Sequence, residues 1–387
     1  MKLKFLLNET FAASEDWFLV EKGSLNQPEQ NALAGLLSNE NIFGIFKPAA
    51  SRPHLNPKLA YKEVALLFYY LQQPAILPAF VKDVYDDDMN ALLAKLVADE
   101  VLKIKINDGF VYGTAATEWL FNENNQYHAS GNQFISNLSG RAIMYALQLK
   151  NAGQDLITSA LYAYNTMPVV AEERVTDAER LLGIGFNTTL EKELLKDWIK
   201  FQPTKEYKWL MWNRRNTTAM DTSKSSVYKL YVSPLLKDLP EVFERATRLL
   251  SSTGARGFKT GSDHFGLARP DKFVIYFTTY HDMVNAADVL KTELHQYPAQ
   301  GVPFTAQLDE NGLLSWGIDP PKEEVLQQWE GGSWRAQIAE KIASAIVQAK
   351  SNNAGTAEAM HYINQKMLLE RINPFTWTPE ITIETHN

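Results

Sequence analysis

The alternation of apolar and polar residues is clearest in the segment VYKLYVS, which begins at Val227. Successive side chains of a β-strand point to opposite faces of the sheet. The two faces would consist of Tyr228, Leu230 and Val232, and of Lys229, Tyr231 and Ser233. The pattern therefore predicts a strand that packs one apolar face into a core and presents a lysine beside a phenol on the other.

The segments that follow this strand alternate between helical and extended patterns. PEVFERATRLLSS has the spacing of an amphipathic helix, and RPDKFVIYF, which starts at Arg269, reads as a strand. Near the end of the chain, WRAQIAEKIASAIVQAK carries isoleucines four residues apart, and Ser333 precedes it as an N-cap. These patterns predict a C-terminal domain of the α+β class.

The N-terminal part shows a different order of elements. We predict a strand from Lys2 to Leu7 and an apolar helix from about Tyr61 to Leu71. A second helix follows at MNALLAKLVADEVL, introduced by Asp86, Asp87 and Asp88. VLKIKI and FVYG then flank an Asn-Asp-Gly turn at 107–109, which predicts a hairpin. The order helix, helix, hairpin is that of a winged helix.

A winged helix has three common uses, namely DNA binding, binding of a peptide leader, and scaffolding. The three aspartates at 86–88 disfavour DNA, because they would repel phosphate. A leader peptide needs no basic surface, since it docks as an added strand or in a groove. Scaffolding is the simplest reading, leader binding is the functional alternative, and a transcription-associated protein is the weakest hypothesis.

Three regions are predicted along the chain. Residues 1–130 form an N-terminal region with a winged-helix-like module at about 61–113. Residues 131–205 form a helical region, and residues 206–387 form the C-terminal domain. The predicted fold class is thus α+β, with a winged-helix-like and helical region followed by an α+β domain.

Composition narrows the functional classes. The 387 residues carry a net charge of −7 and no cysteine. An acidic protein is a poor general binder of nucleic acid, and the lack of cysteine excludes disulfides, thiolate metal sites and cysteine nucleophiles. No apolar run has the length of a membrane helix, and the first apolar run is too short for a signal peptide. We therefore expect a cytoplasmic protein that uses neither nucleic acid nor membrane.

The candidate chemistry depends on lysine, tyrosine and arginine. Lys259 lies in GFKTGSD, where it is either a solvated loop residue or a base. Cations nearby would favour its neutral form, and Lys229 and Arg269 are the expected neighbours. Arg269 and Arg335 offer paired donors that match phosphate oxygens, although each would equally suit a surface ion pair. His264 and His281 lack metal-ligand spacing, so no metal is expected.

The segments VYKLYVSP, GFKTGSD, RPDKFVIYF, PFTAQL and the GSWR-initiated helix resemble the type III effector family named Hop A and its relatives. Those relatives include the phosphoSer/phosphoThr lyases of class V lanthipeptide and thioamitide biosynthesis. The resemblance covers roughly residues 205–350. A more distant resemblance is to the phosphothreonine lyases of bacterial effectors, and it implies a phosphothreonine-lyase-like C-terminal domain.

The resemblance implies roles for five residues. Lys259 matches the base, Lys229 the strand lysine that stabilises the enolate-like charge, and Arg269 and Arg335 the phosphate-binding arginines. Tyr231 stands where the phosphothreonine lyases have a histidine, so either Tyr231 is the acid that protonates phosphate or phosphate leaves without help. No cofactor and no metal are required. This departure from the family pattern leaves open a site that binds without turnover.

The function implied is the elimination of phosphate from phosphoSer or phosphoThr of a peptide, giving dehydroamino acids in lanthipeptide-like maturation. The partners would be a phosphorylated precursor peptide, a separate Ser/Thr kinase, and a cyclase where rings are formed. The alternative is a non-catalytic effector or peptide-binding interaction protein with the same fold.

Overall fold

The computed structural model describes the backbone of residues 3–34, 39–53, 55–121, 133–168, 177–201, 208–215, 227–319 and 333–379, and their side chains except at 32 and 79–88. The fold class is α+β, as predicted, because the helices accompany antiparallel sheets. None of the helices in these ranges is long and apolar enough to cross a bilayer.

The strands of the described ranges pair antiparallel throughout. They are β1 (Thr10–Ala13), β2 (Trp17–Glu21), β3 (Ile42–Pro48), β4 (Lys58–Tyr61), β5 (Ala75–Ile76), β6 (Leu102–Ile106), β7 (Gly109–Val111), β8 (Trp198–Phe201), β9 (Trp209–Arg214), β10 (Val227–Val232), β11 (Gly257–Gly261), β12 (Phe273–Phe277), β13 (Ala306–Gln307) and β14 (Leu314–Asp319). Three sheets result, with the orders β5-β1-β6-β7, β2-β3-β4 and β13-β14-β10-β12-β11-β9-β8.

The helices lie between and around these sheets. They are α1 (Gln27–Ala32), α2 (Lys62–Tyr70), α3 (Ala79–Ala98), α4 (Thr114–Leu120), α5 (Phe134–Gln148), α6 (Gln154–Ala163), α7 (Ala178–Leu181), α8 (Thr189–Asp197), α9 (Leu239–Leu250), α10 (His264–Ala268), α11 (Tyr280–Leu294), α12 (Trp334–Ser351) and α13 (Thr356–Leu369). Short 3-10 helices occupy Lys22–Ser24 and Leu236–Asp238.

The N-terminal module has the predicted helix, helix, hairpin order in α2, α3 and the β6–β7 hairpin. The hairpin turns at Asn107, whose φ of 54° suits asparagine in a tight turn. The second helix begins at Ala79, so the aspartates at 86–88 lie inside it and do not introduce it. The prediction missed its first turns because they carry no side-chain N-cap.

The predicted strand from Lys2 to Leu7 is wrong. Among its described residues, Leu3 forms an isolated bridge to Phe121, and the first strand that the described residues form is β1. Leu6 and Leu7 are both fully buried, which a strand with one solvated face does not allow. The Leu6 N–H donates instead to Asn90 Oδ1 at 2.6 Å.

Two large hydrophobic cores organise the described residues. One core takes residues from Leu6 to Trp377, so both ends of the chain contribute to it, and it includes α3, α6, α12 and α13. The other lies between one face of the seven-stranded sheet and helices α9 and α11. Helix α12 packs against α6 and also contacts β14, which joins the two cores.

The boundaries predicted at 130/131 and 205/206 remain predictions. The cores do not follow them closely, because α12 and α13 of the segment 206–387 share a core with the module at 61–113. Strand β8, at the end of the predicted helical region 131–205, is an edge strand of the seven-stranded sheet.

Candidate active site

Strand β10 divides its side chains between two environments, as its alternating sequence predicts. Leu230 and Val232 are fully buried in the core beneath the sheet. Lys229 and Tyr231 lie on the opposite face, where Tyr231 packs against Val274. We call the first the core face and the second the site face of the seven-stranded sheet.

The register of the sheet brings Lys259 to the same face. Lys259 on β11 pairs with Val274 on β12, and Val274 pairs with Tyr231 on β10. Directly opposed residues of antiparallel strands point to one face, and Phe258 beside Lys259 lies in the core. Lys259 and Tyr231 therefore stand on the site face, separated by one strand.

The two lysines flank one tyrosine ring. Lys229 Nζ lies 5.6 Å and Lys259 Nζ 5.9 Å from the ring centroid of Tyr276. Lys259 Nζ also lies 4.1 Å above the ring of Trp209, which is within cation–π range. Aromatic rings thus hold the Lys259 amine near a second ammonium group.

The environment of Lys259 lowers its pKa to about 8. Burial contributes most to this lowering, and the charges of Lys229 and Arg269 add to it, while Asp271 and Asp319 oppose it. The two cations were expected from the sequence, whereas the larger effect of burial depends on the folded structure. A lysine with this pKa is partly neutral near pH 8 and can accept a proton.

The glycines on either side of Lys259 serve close packing. A Cβ atom at Gly261 would lie 2.4 Å from the backbone of Gly266, and one at Gly257 would lie 2.7 Å from the Trp212 carbonyl oxygen. Both positions exclude a side chain because α10 and β9 pack closely against β11. Lys259 consequently sits within a strand, not on the loop that its glycine neighbours suggested.

Lys229 is neutralised by a carboxylate that lies far from it in the sequence. Its ammonium group forms an ion pair with Asp319, the last residue of β14. The two residues come together because β14 is the antiparallel neighbour of β10, with Lys229 opposite Gly317. Only the register of these strands, which the sequence alone does not supply, reveals the pair.

Tyr231 remains protonated over the whole physiological range. It is 3% exposed and packs against Val274 and Val302. Burial, followed by the charge of Asp319, raises the pKa of Tyr231 well above its usual value. The phenol can therefore donate a proton or a hydrogen bond, but it cannot act as a base.

The two candidate arginines meet at one buried carboxylate, Asp271. Arg269 donates to it through Nε at 2.8 Å and Nη2 at 2.9 Å. Arg335 places Nη1 2.8 Å from Asp271 Oδ2, without hydrogen-bond geometry. Although burial alone would raise it, the pKa of Asp271 lies well below its usual range because of Arg335 and then Arg269.

Tyr162 holds both guanidinium groups from the helical region. Its hydroxyl accepts a hydrogen bond from Arg269 Nη2 at 2.9 Å, and its carbonyl accepts one from Arg335 Nη2 at 2.8 Å. The guanidinium carbons lie 5.1 and 4.8 Å from its ring centroid. Nothing in the sequence of its helix indicates these contacts.

The two arginines differ in access to solvent. The side chain of Arg269 is 31% exposed, whereas that of Arg335 is 1% exposed. Arg335 also donates through Nε to the Pro303 carbonyl at 3.4 Å. Arg269 can therefore reach a ligand directly, while Arg335 holds Asp271 and Tyr162 in place.

A further lysine, Lys272, is fully buried and was not singled out in the sequence. Its Nζ donates to the Pro234 carbonyl at 2.9 Å and to the side chain of Gln300. Burial lowers the pKa of Lys272 to about 7. Because its hydrogens are already directed at two oxygens, we assign it to packing between the sheet and its connections.

The charges of the site leave room for an anion. Four cationic side chains and two carboxylates meet here, so the formal sum is plus two while Lys259 is protonated. The four cations are Lys229, Lys259, Arg269 and Arg335, and the carboxylates are Asp271 and Asp319. A phosphate monoester carries between one and two negative charges near neutral pH, so it matches this excess.

No protein-family model and no curated protein sequence matches the chain. Among solved structures, it is similar to an effector protein from Pseudomonas syringae pv. tomato strain DC3000, with 11% identity and a TM-score of 0.40 over 63% of this chain and 96% of that one. It is also similar to OspF of Shigella flexneri, a type III effector and phosphothreonine lyase, with 13% identity and a TM-score of 0.28 over 40% of this chain and 89% of that one. The phosphothreonine lyase SpvC of Salmonella gives 14% identity and a TM-score of 0.29, covering 52% and 98%. Similarities of this size decide nothing about activity.

Proposed function

We propose that the protein is a lyase that eliminates phosphate from a phosphoserine or phosphothreonine residue of a peptide. The observation that carries the proposal is Lys259, whose pKa is lowered to about 8 on a sheet face that it shares with Lys229 and Tyr231. A base of this kind beside an excess of positive charge suits the removal of a weakly acidic proton next to an anionic leaving group.

The neutral amine of Lys259 would take the proton from the α-carbon of the phosphorylated residue. The electron pair of that C–H bond would form the double bond between the α- and β-carbons, and the bond from the β-carbon to the phosphate oxygen would break with its electron pair. Lys229 would stabilise the negative charge that develops on the carbonyl oxygen. The products are a dehydroamino acid and inorganic phosphate.

Arg269 would bind the phosphate, because its guanidinium group is partly exposed and already oriented by Asp271. Arg335 would support it from below, through its contacts with Asp271 and Tyr162. The protonated phenol of Tyr231 would donate a proton to the departing phosphate, since its raised pKa keeps it protonated. None of these steps calls for a cofactor.

We further propose that the substrate is the phosphorylated precursor of a ribosomal peptide product, as in lanthipeptide-like maturation. A separate Ser/Thr kinase would supply the phosphate, and a cyclase would act on the dehydroamino acid where rings are formed. The winged-helix-like module would bind the leader of the precursor. Its helix, helix, hairpin order and its aspartates in α3 support this assignment over DNA binding.

A second candidate is a peptide-binding protein without turnover. The ion pairs of Lys229 with Asp319 and of both arginines with Asp271 favour it, because these cations already have partners. Incubation of the protein with a phosphopeptide, followed by mass spectrometry, separates the two functions. Loss of phosphoric acid supports the lyase, and binding with unchanged mass supports the second candidate.

A further inference from the structure

The site face of the seven-stranded sheet is closed on the side of β14. A Cβ atom at Gly317 would lie 2.4 Å from the indole of Trp334, so this ring rests directly on the strand. Trp334 is 5% exposed, and its Nε1 donates to the Phe304 carbonyl at 2.8 Å. Val302, fully buried, packs beside Tyr231. A peptide therefore cannot approach Lys259 across β14.

Among the described residues, the same face is accessible on the side of β8 and β9. Phe201 on β8 pairs with Met211 on β9, and Met211 pairs with Lys259 on β11. Ile199 likewise pairs with the exposed Asn213. Because opposed residues share a face, Ile199 and Phe201 point to the side of the sheet that carries the site.

These two apolar side chains are unusually accessible for a strand. Ile199 is 42% and Phe201 47% exposed, and β8 is an edge strand of the sheet. On the core face of the same strand, the apolar side chain of Trp198 is fully buried. An exposed apolar edge strand promotes unwanted association with other chains. Such an edge is therefore expected where a ligand or partner binds it.

The distance from this edge to Lys259 fits a short stretch of peptide. Neighbouring strands lie about 4.8 Å apart, so β8 and β11 are separated by about 10 Å. A peptide in the polyproline II conformation rises about 3.1 Å per residue with about three residues per turn, so every third side chain faces the same way. A side chain about three residues from the reacting residue would therefore reach Phe201.

We propose that Ile199 and Phe201 form a docking subsite for an apolar side chain of the substrate peptide, about three residues from its phosphorylated residue. The identity of this occupant rests on the proposed function. The docking subsite is continuous with the candidate active site, because paired residues lead from the edge strand to the base in the order Phe201, Met211, Lys259. The subsite would select substrates by sequence, while the charged residues recognise phosphate.

The test uses two pairs of phosphopeptides, one pair for each side of the phosphoserine. Within a pair, the peptides differ only at the third residue from the phosphoserine, which is leucine in one peptide and serine in the other. Binding is measured by calorimetry with Lys259→Ala, so that no peptide is consumed. We expect one leucine peptide to bind about tenfold more tightly than its serine counterpart, as the burial of one apolar side chain suggests. Adding Phe201→Ser should reduce this ratio to about one.

Phe18→Ser is the matched control, because Phe18 is also a phenylalanine exposed on a strand, at 58%, but in another sheet. It should leave the ratio unchanged. Equal binding of leucine and serine peptides, or a ratio that survives Phe201→Ser, would overturn the subsite. A second copy of the chain is the remaining alternative. It would be assigned to the edge if the molecular mass doubled with protein concentration, if Phe201→Ser restored the monomer, and if neither peptide bound. That result would also overturn the subsite.

The same peptides distinguish this inference from the proposed function. Their turnover by the protein with Lys259 intact is followed by mass spectrometry. If binding shows the leucine preference but no peptide loses phosphoric acid, the lyase is wrong and the subsite stands. If peptides are converted without any preference in binding, the lyase stands and the subsite is wrong.

Discussion

Arg269 and Asp271 face each other across a single proline and form two hydrogen bonds, at 2.8 and 2.9 Å. The geometry is the paired arrangement in which a guanidinium group matches a carboxylate. The same carboxylate lies 2.8 Å from Arg335 of α12, which belongs to the other hydrophobic core. Asp271 therefore joins the sheet that carries the site to the helices that close it.

Asp271→Asn should destabilise the fold. It leaves the buried charge of Arg335 without its counter-ion, and breaking a buried ion pair costs about 3–5 kcal/mol. Urea denaturation should show this loss in the free energy of unfolding at pH 7. Asp108→Asn, at an exposed turn position, is the control and should change it little.

The effect of Asp271→Asn should also depend on pH. The pKa of Asp271 is lowered in the folded protein, so its contribution is fully present above the unfolded value of about 4 and is lost as pH falls below it. The difference between wild type and variant should therefore shrink at acidic pH. A difference that stays constant down to pH 2 would show that the charge of Asp271 is not its cause.

Arg269→Ala and Arg335→Ala should separate binding from stability. A lost charged hydrogen bond costs about 1.5–3 kcal/mol, so Arg269→Ala should weaken phosphopeptide binding by one to two powers of ten. Arg335 is 1% exposed and bonded to two carbonyls, so Arg335→Ala should lower the free energy of unfolding as well as affinity. Calorimetry beside urea denaturation measures both, and equal affinity for Arg269→Ala and wild type would remove Arg269 from the phosphate site.

The pH dependence of turnover should report the state of Lys259. Its amine must be neutral to act as a base, so kcat/KM should rise with pH through about 8, the pKa of Lys259. Asp319 raises that pKa, so Asp319→Asn should move the rising limb to lower pH. Asp108→Asn should leave the limb in place. A limb that moves to higher pH in Asp319→Asn contradicts the assignment of the base.

The winged-helix-like module should bind a leader through its exposed apolar patch of Leu66, Tyr69, Tyr70 and Ile76. Leu66 is 69% exposed, and the Tyr70 hydroxyl donates to the Ile76 carbonyl at 3.4 Å. Deletion of residues 61–113 is unsuitable as a test, because Leu93, Leu102 and Ile104 belong to the shared core. Leu66→Ser instead should weaken binding of the full precursor about tenfold.

The control for this patch is Leu156→Ser, which changes a leucine of similar exposure, 61%, on α6. A phosphopeptide without leader should bind equally to both variants and to wild type. If Leu66→Ser leaves precursor affinity unchanged in fluorescence anisotropy, the module is scaffold.

Local sequence patterns predicted much of the framework of the site. Alternation in VYKLYVS correctly separated Lys229 and Tyr231 from the core side chains, because a strand allows only two faces. Ser333 was correctly identified as the cap of α12, and its hydroxyl accepts from the Ala336 N–H at 3.4 Å. Both features depend on neighbouring residues only.

Features that depend on distant pairing were not predictable in this way. Asp319 meets Lys229 only because β14 lies beside β10, and Tyr162 meets Arg335 only because α6 packs on α12. The burial of Arg335 follows from the same packing, whereas its sequence suits a surface position equally well. Asp271 is the exception. It stands two residues from Arg269, so an ion pair between these two side chains could have been predicted from the sequence.

The most direct test of the account replaces the base itself. Lys259→Arg keeps a positive charge, but arginine stays protonated in proteins, so it should abolish conversion of a phosphopeptide to the dehydropeptide. Lys259→Ala should abolish it as well, with the fold kept in circular dichroism and phosphopeptide still bound in calorimetry. Mass spectrometry of the peptide products is the measurement. Wild type should release phosphoric acid and both variants should not, whereas near wild-type turnover by Lys259→Arg would contradict Lys259 as the base.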